Sequence, residues 1–143
     1  MQLFRKTDRD NAIRVGWGVR VMLLTADSED PLATRIAGLG GLVETEGEQF
    51  AALSAVIDDP VGYGLFVMDC DSLGGLQAGR RAFAMLAATG SRVPVILVSA
   101  DCARPSFPDD RSAPIEIRAS ASPVPMRVAV EHALRGRLIW RAA

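Results

Sequence analysis

The apolar run Leu65-Phe66-Val67-Met68 stops on an aspartate, Asp69, and a later run, Val93-Pro94-Val95-Ile96-Leu97-Val98, stops on a hydroxyl, Ser99. Continuous apolar runs of this length, rich in Val, Ile and Phe, describe strands buried on both faces. That is the habit of a parallel sheet covered by helices. In such sheets ligands and chemistry gather just beyond the carboxyl ends of the strands. The placement of a carboxylate and a hydroxyl at two of those ends therefore directs attention to one edge of the sheet.

The rest of the chain alternates in the same way. Val19–Leu24 reads as a first strand, followed by a helix capped by Asp27 or Ser28, with Glu29, Asp30 and Pro31 in its first turn. Leu32, Ile36 and Leu39 form its apolar stripe, and Gly38, Gly40 and Gly41 close it. A short strand at Leu42-Val43-Glu44 precedes a helix with Phe50, Leu53 and Ile57 at helical spacing, which stops at Asp58-Asp59-Pro60. The third strand, Gly64–Met68, leads through Gly74-Gly75 into a helix with Leu76, Phe83, Leu86 and Ala87 on one side.

After the fourth strand, Val93–Val98, the regularity breaks. Asp101–Pro114 carries Pro105 and Pro108 ahead of Pro114, and an interior proline costs a helix about 3 kcal/mol. A full helix is not expected there. A short fifth strand, Ile115–Ile117, leads to a last helix opened by Pro123, with Val130, Ala133, Leu134 and Leu138 on its buried side. Five strands alternating with helices imply right-handed crossovers and one doubly wound parallel sheet. Residues 1–18 read as an N-terminal extension and 19–143 as a single folded domain.

Composition narrows the function. A net charge of −1 argues against a general nucleic-acid footprint. No stretch approaches the roughly 20 apolar residues that span a bilayer, and the charged N-terminal segment is not a secretory signal, so a cytoplasmic location is expected. The two cysteines, Cys70 and Cys102, make no disulfide framework, and the single histidine, His132, precludes a structural zinc set. Lys6 is the single lysine, so no lysine serves the folded body.

The order of these elements resembles the receiver domains of two-component response regulators. The likeness covers about Val19 to Leu138 and rests on Tyr63-Gly64-Leu65-Phe66-Val67-Met68-Asp69 and on Val93-Pro94-Val95-Ile96-Leu97-Val98-Ser99-Ala100. It implies a flavodoxin-like fold with strand order 2-1-3-4-5. It also implies that Asp69 is the phospho-acceptor position and Ser99 the switch hydroxyl. In that family the aspartate attacks a phosphodonor with Mg²⁺ neutralising the crowded oxygens.

The departures are as informative as the matches. The family's acidic pair at the end of the first strand falls on Thr25 and Ala26, leaving Asp27 and Asp69 as the candidate metal ligands. The family's lysine on strand five falls on Arg118, which keeps the charge without the compact ammonium, and the proline after it is Ala119. The aromatic switch position falls near Ile115, and the Met-Pro pair that follows the acceptor is replaced around Ser72-Leu73-Gly74. The fourth helix is expected to be shortened or missing.

By this resemblance the chain is expected to be a degenerate, stand-alone receiver-like domain. It is expected to act by protein–protein interaction, with no enzymatic activity and impaired Mg²⁺-dependent phosphorylation. Its partner would be a histidine kinase, a phosphotransferase or another regulator, with homodimerisation left open and nucleic acid and membrane insertion excluded. Two alternatives stand beside it. One is a functional phospho-acceptor at Asp69 with Asp27, and Asp71 as a further carboxylate, holding the metal. The other is an unrelated flavodoxin-like enzyme or small-ligand binder.

Cys70 and Cys102 follow neighbouring strands and are expected as free thiols in a reducing compartment. His132 has no nucleophile or metal partner around it in sequence. Leu138-Ile139-Trp140 with Trp17 and Phe4 form either a partner surface or a closure of the sheet edge.

Overall fold

The computed structural model describes residues 18–142 and, among side chains, those of residues 18–135. The N-terminal extension and the Phe4, Trp17, Leu138-Ile139-Trp140 cluster lie outside the described residues. The elements run β1 (Arg20–Leu24), α1 (Pro31–Gly38), β2 (Leu42–Glu46), α2 (Gln49–Asp58), β3 (Leu65–Asp69), a 3₁₀ turn (Cys70–Leu73), α3 (Leu76–Ala88), β4 (Val95–Ser99), β5 (Ile115–Arg118) and α4 (Pro123–Ala142). The five strands are all parallel, in the order β2-β1-β3-β4-β5. This is the doubly wound sheet that the alternation of runs implies, in the flavodoxin-like order that the receiver resemblance implies.

Alternate residues of each central strand serve two separate cores, because successive side chains leave a strand on opposite faces. Val21, Leu23, Leu65, Val67, Ile96 and Val98 pack with Leu32 and Ile36 of α1 and with Met126, Val130 and Leu134 of α4. Met22, Leu24, Phe66, Met68, Val95 and Leu97 pack with Leu53 and Val56 of α2 and with Leu76, Ala82 and Leu86 of α3. Burying each large apolar side chain contributes about 1.5–3 kcal/mol.

The helix faces differ in places from the sequence expectation. In α2 the buried residues are Ala52, Leu53 and Val56, whereas Phe50 is 60% exposed and Ile57 37% exposed. In α3 the expected Leu76 and Leu86 are buried, together with Ala78, Gly79 and Ala82, while Phe83 is half-buried and Ala87 exposed. Position 79 takes glycine because Cys70 Sγ occupies the space where a Cβ would stand. The cap of α1 is Asp30, not Asp27 or Ser28. Its Oδ1 accepts the Leu32 N–H at 2.9 Å, and Pro31 opens the helix.

No helix connects β4 to β5. The crossover is irregular, and Ser106 forms an antiparallel bridge with Glu116 of the edge strand, N–H to O at 2.8 and 3.0 Å. At the amino-terminal edge of the sheet, Arg20 ties β1 to Glu44 at 3.0 Å and to Asp59 at 2.9 Å while stacking on the Tyr63 ring at 4.2 Å. No described helix is long and apolar enough to cross a membrane.

Candidate functional site

The carboxyl edge is assembled from the ends of β1, β3, β4 and β5. Leu24 is the last residue of β1, and Thr25 after it is buried, with its N–H bound to Glu46 O at 2.9 Å. Its hydroxyl lies 2.9 Å from Asp30 Oδ2 and 3.2 Å from Asp69 Oδ2, so one proton is shared between two carboxylates. The same oxygen accepts the Asp27 N–H at 3.2 Å.

Asp69 ends β3 and is half-buried. Besides Thr25, it accepts from the Ser72 hydroxyl at 2.7 Å, and that hydroxyl in turn accepts the Ala26 N–H at 3.1 Å. The 3₁₀ turn that places Ser72 ends on Gly74 and Gly75, whose φ angles of 110° and 120° favour glycine. Ser99 is fully buried at the end of β4. Its hydroxyl donates to Asp71 Oδ1 at 2.7 Å and accepts the Asp101 N–H at 3.1 Å, while Asp71 Oδ2 takes the Ala100 N–H at 2.9 Å.

The two expected switch residues are therefore neighbours with separate partners: Asp69 belongs to Thr25 and Ser72, and Ser99 belongs to Asp71. Hydrogen bonds to an ionised carboxylate are the stronger kind, roughly 1.5–3 kcal/mol each. Arg118 sits beside Ser99 in the β4–β5 register, is exposed, and has no ion pair among the described residues. Asp27 spends Oδ1 on the Glu29 N–H at 2.9 Å, within its own turn. It shares no hydrogen bond with Asp69.

A cavity of about 220 Å³ opens between the start of α1 and the β5–α4 loop, lined by Asp30, Arg35, Asp69, Val98, Ala119 and Ser120 among others. Among the described residues, no three His, Cys, Asp or Glu side chains form a group able to hold a metal ion.

Sequence reasoning missed Asp30 as the carboxylate linked to Asp69 through Thr25. The Asp30-Pro31 pair, a cap residue before a first-turn proline, was the available signal. Asp71, weighed as a metal ligand, instead holds Ser99. Cys70 and Cys102 are buried free thiols. Burial pushes the Cys70 thiol up to about 12 and raises that of Cys102, so neither is poised as a nucleophile. His132 is half-buried, with Nε2 2.6 Å from Pro108 O and its ring edge-on to Phe107.

No protein-family profile and no curated protein matches the chain. Among solved structures, one similar chain is a yeast Spc42 trimeric coiled-coil segment fused to another structure. It has a TM-score of 0.65 and 20% identity over 87% of this chain and 83% of that one. A second is a mutant form of the anti-anti-sigma factor PhyR from Bartonella quintana, with a TM-score of 0.60 and 17% identity over 96% of this chain. This chain spans 58% of that one. At these identities the likeness is one of fold, and it agrees with the flavodoxin-like sheet described above.

Proposed function

We propose that the protein is an atypical receiver-like signalling module. It works in the cytoplasm through protein–protein contact at the carboxyl edge, without catalysis and with Mg²⁺-dependent phosphorylation of Asp69 impaired. The observation that carries this reading is the pairing of Ser99 with Asp71 while Asp69 is held by Thr25 and Ser72. In a phosphorylating receiver the hydroxyl must be free to follow the phosphoryl group. Here a carboxylate already claims it.

The donor set does not fit Mg²⁺ held in the manner of the receiver family. That ion takes hard oxygen ligands from one or two carboxylates beside the phosphate. Thr25 and Ala26 stand where the acidic pair would be, Asp27 closes its own turn, and Asp30 caps α1. A role in signalling is supported further by the fold shared with a protein named an anti-anti-sigma factor, a name that denotes action through another protein.

The test is incubation of the purified protein with Mg²⁺ and acetyl phosphate, read by intact mass, and with beryllofluoride, read by amide NMR shifts. The expected result is no adduct and no shift at Asp69, Ser99 or Ala100. A stoichiometric adduct that disappears in Asp69→Asn would establish the phospho-acceptor reading instead, for which the open cavity beside Asp69 offers access.

A further inference from the structure

At the amino-terminal ends of β4 and β5, the edge of the sheet opposite Asp69, lies a second cavity, of about 310 Å³. This is at the small end of the range for ligand sites, roughly 300–1,000 Å³. Its floor is apolar: Pro94, Val95, Ile115 and Ala133 line it and are buried. Three arginines border it, Arg92, Arg111 and Arg135.

The hydrogen bonding of those guanidiniums is far from spent. Arg111 gives one nitrogen to Arg92 O at 3.0 Å, and Arg135 reaches Asp109 O and His132 Nδ1. Arg92 donates no side-chain hydrogen bond among the described residues. Each guanidinium carries five N–H donors, so most have no partner among the described residues. Two acidic residues, Asp109 and Asp110, share the lining, so the three arginines leave a net charge of one positive unit at the rim. Asp110 accepts both the N–H and the hydroxyl of Ser112, which holds its carboxyl below the usual range. The Asp109 carboxylate is fully exposed and 3.9 Å from Arg135.

The wall of the cavity is fixed. Arg135 can only donate, so His132 Nδ1 accepts, and the ring proton resides on Nε2, which donates to Pro108 O at 2.6 Å. Phe107 packs edge-on against the same ring, with centroids 5.5 Å apart. The crossover is thereby pinned to α4, leaving the pocket preformed.

We propose that this cavity binds a small organic phosphate, a phosphomonoester carried on a compact apolar ring. Planar guanidinium forks match phosphate oxygens in pairs, and three of them on one rim suit a dianion with three terminal oxygens. The buried floor provides for the ring. Nothing in this site involves Asp69, so its fate is separable from the reading of the carboxyl edge.

The experiment titrates the ¹⁵N-labelled full chain with phenyl phosphate, with inorganic phosphate and benzoate as parallel arms. Saturable shifts are expected at Ala113, Ile115 and Ala133, with phenyl phosphate binding about ten-fold or more tighter than either control. The exposed pair Arg92→Ala/Arg111→Ala should weaken binding at least about ten-fold while leaving the remaining amide spectrum in place, and Asp69→Asn should leave it unchanged. Absence of shifts at millimolar phenyl phosphate, equal binding of benzoate, or undiminished binding by the double variant would overturn the proposal.

Discussion

Arg80 on α3 and Glu116 on β5 meet in a two-pronged ion pair, Nε to Oε2 at 2.7 Å and Nη2 to Oε1 at 2.8 Å, across the side of the sheet where the β4–β5 crossover has no helix. Glu116 is buried while Arg80 is 44% exposed, so the buried carboxylate is neutralised by a guanidinium that water still reaches. The Arg80 guanidinium is correspondingly held above the ordinary arginine range by the Glu116 hydrogen bonds.

Replacing Arg80 by Ala strands that carboxylate. A loss of about 1–2 kcal/mol is expected, below the 3–5 of a fully buried pair because water reaches the arginine side. Arg80→Ala with Glu116→Gln should be less destabilised than the sum of the two single changes. Urea unfolding of the four proteins measures the coupling.

The Ser99–Asp71 bond makes a separate prediction. Ser99→Ala removes the buried donor, but Asp71 is exposed and regains water, so the expected cost is about 1 kcal/mol. In Asp71→Ala the buried hydroxyl keeps only the Asp101 N–H. A double-mutant cycle in urea should yield a coupling near ~1 kcal/mol, and none with Asp69→Asn if the two switch positions are held apart as described.

Restoring the acidic pair should restore the metal. In Thr25→Asp/Ala26→Asp, the two introduced carboxylates crowd Asp27, Asp30 and Asp69 at the end of β1 and lower stability in the absence of divalent ions. Mg²⁺ at ten times its Kd should return about 1.4 kcal/mol, seen as a rise in Tm. The parent protein, with Thr25 and Ala26, should show no such rise.

The Cys70 thiol gives a pH dependence with a definite sign. Burial raises its folded value to about 12, above the ordinary thiol value near 9. Between those two pH values the unfolded chain has lost a proton that the folded chain keeps, so stability falls as pH rises through this window. Cys70→Ala or Cys70→Ser should flatten the alkaline limb of a stability-versus-pH curve. At pH 8, thiol reagents should modify Cys70 only as fast as the protein opens.

The strands themselves were legible because strands buried on both faces leave no polar alternation to confuse the reading, as at Leu65–Met68 and Val95–Val98, whereas their order in the sheet came from the receiver resemblance. Pro105 and Pro108 likewise announced the missing helix. Helix rotation was less legible. Phe50 and Ile57 have helical spacing, but so do Ala52 and Val56, and only packing on β1 and α3 selects the second set. The site partners were the least legible. Asp27, Asp30 and Asp71 are alike as residues, and which of them caps, which meets Thr25 and which captures Ser99 depends on loops that converge from distant parts of the chain.

The Ser106–Glu116 bridge limits how any binding partner can approach. Outer strands usually offer a row of free amides and carbonyls onto which a foreign strand can zip, and here the chain's own crossover has already taken part of that row. Growth of the sheet from the β5 rim, whether into a polymer or onto an extended peptide, is obstructed, and association on that flank is left to side-chain chemistry.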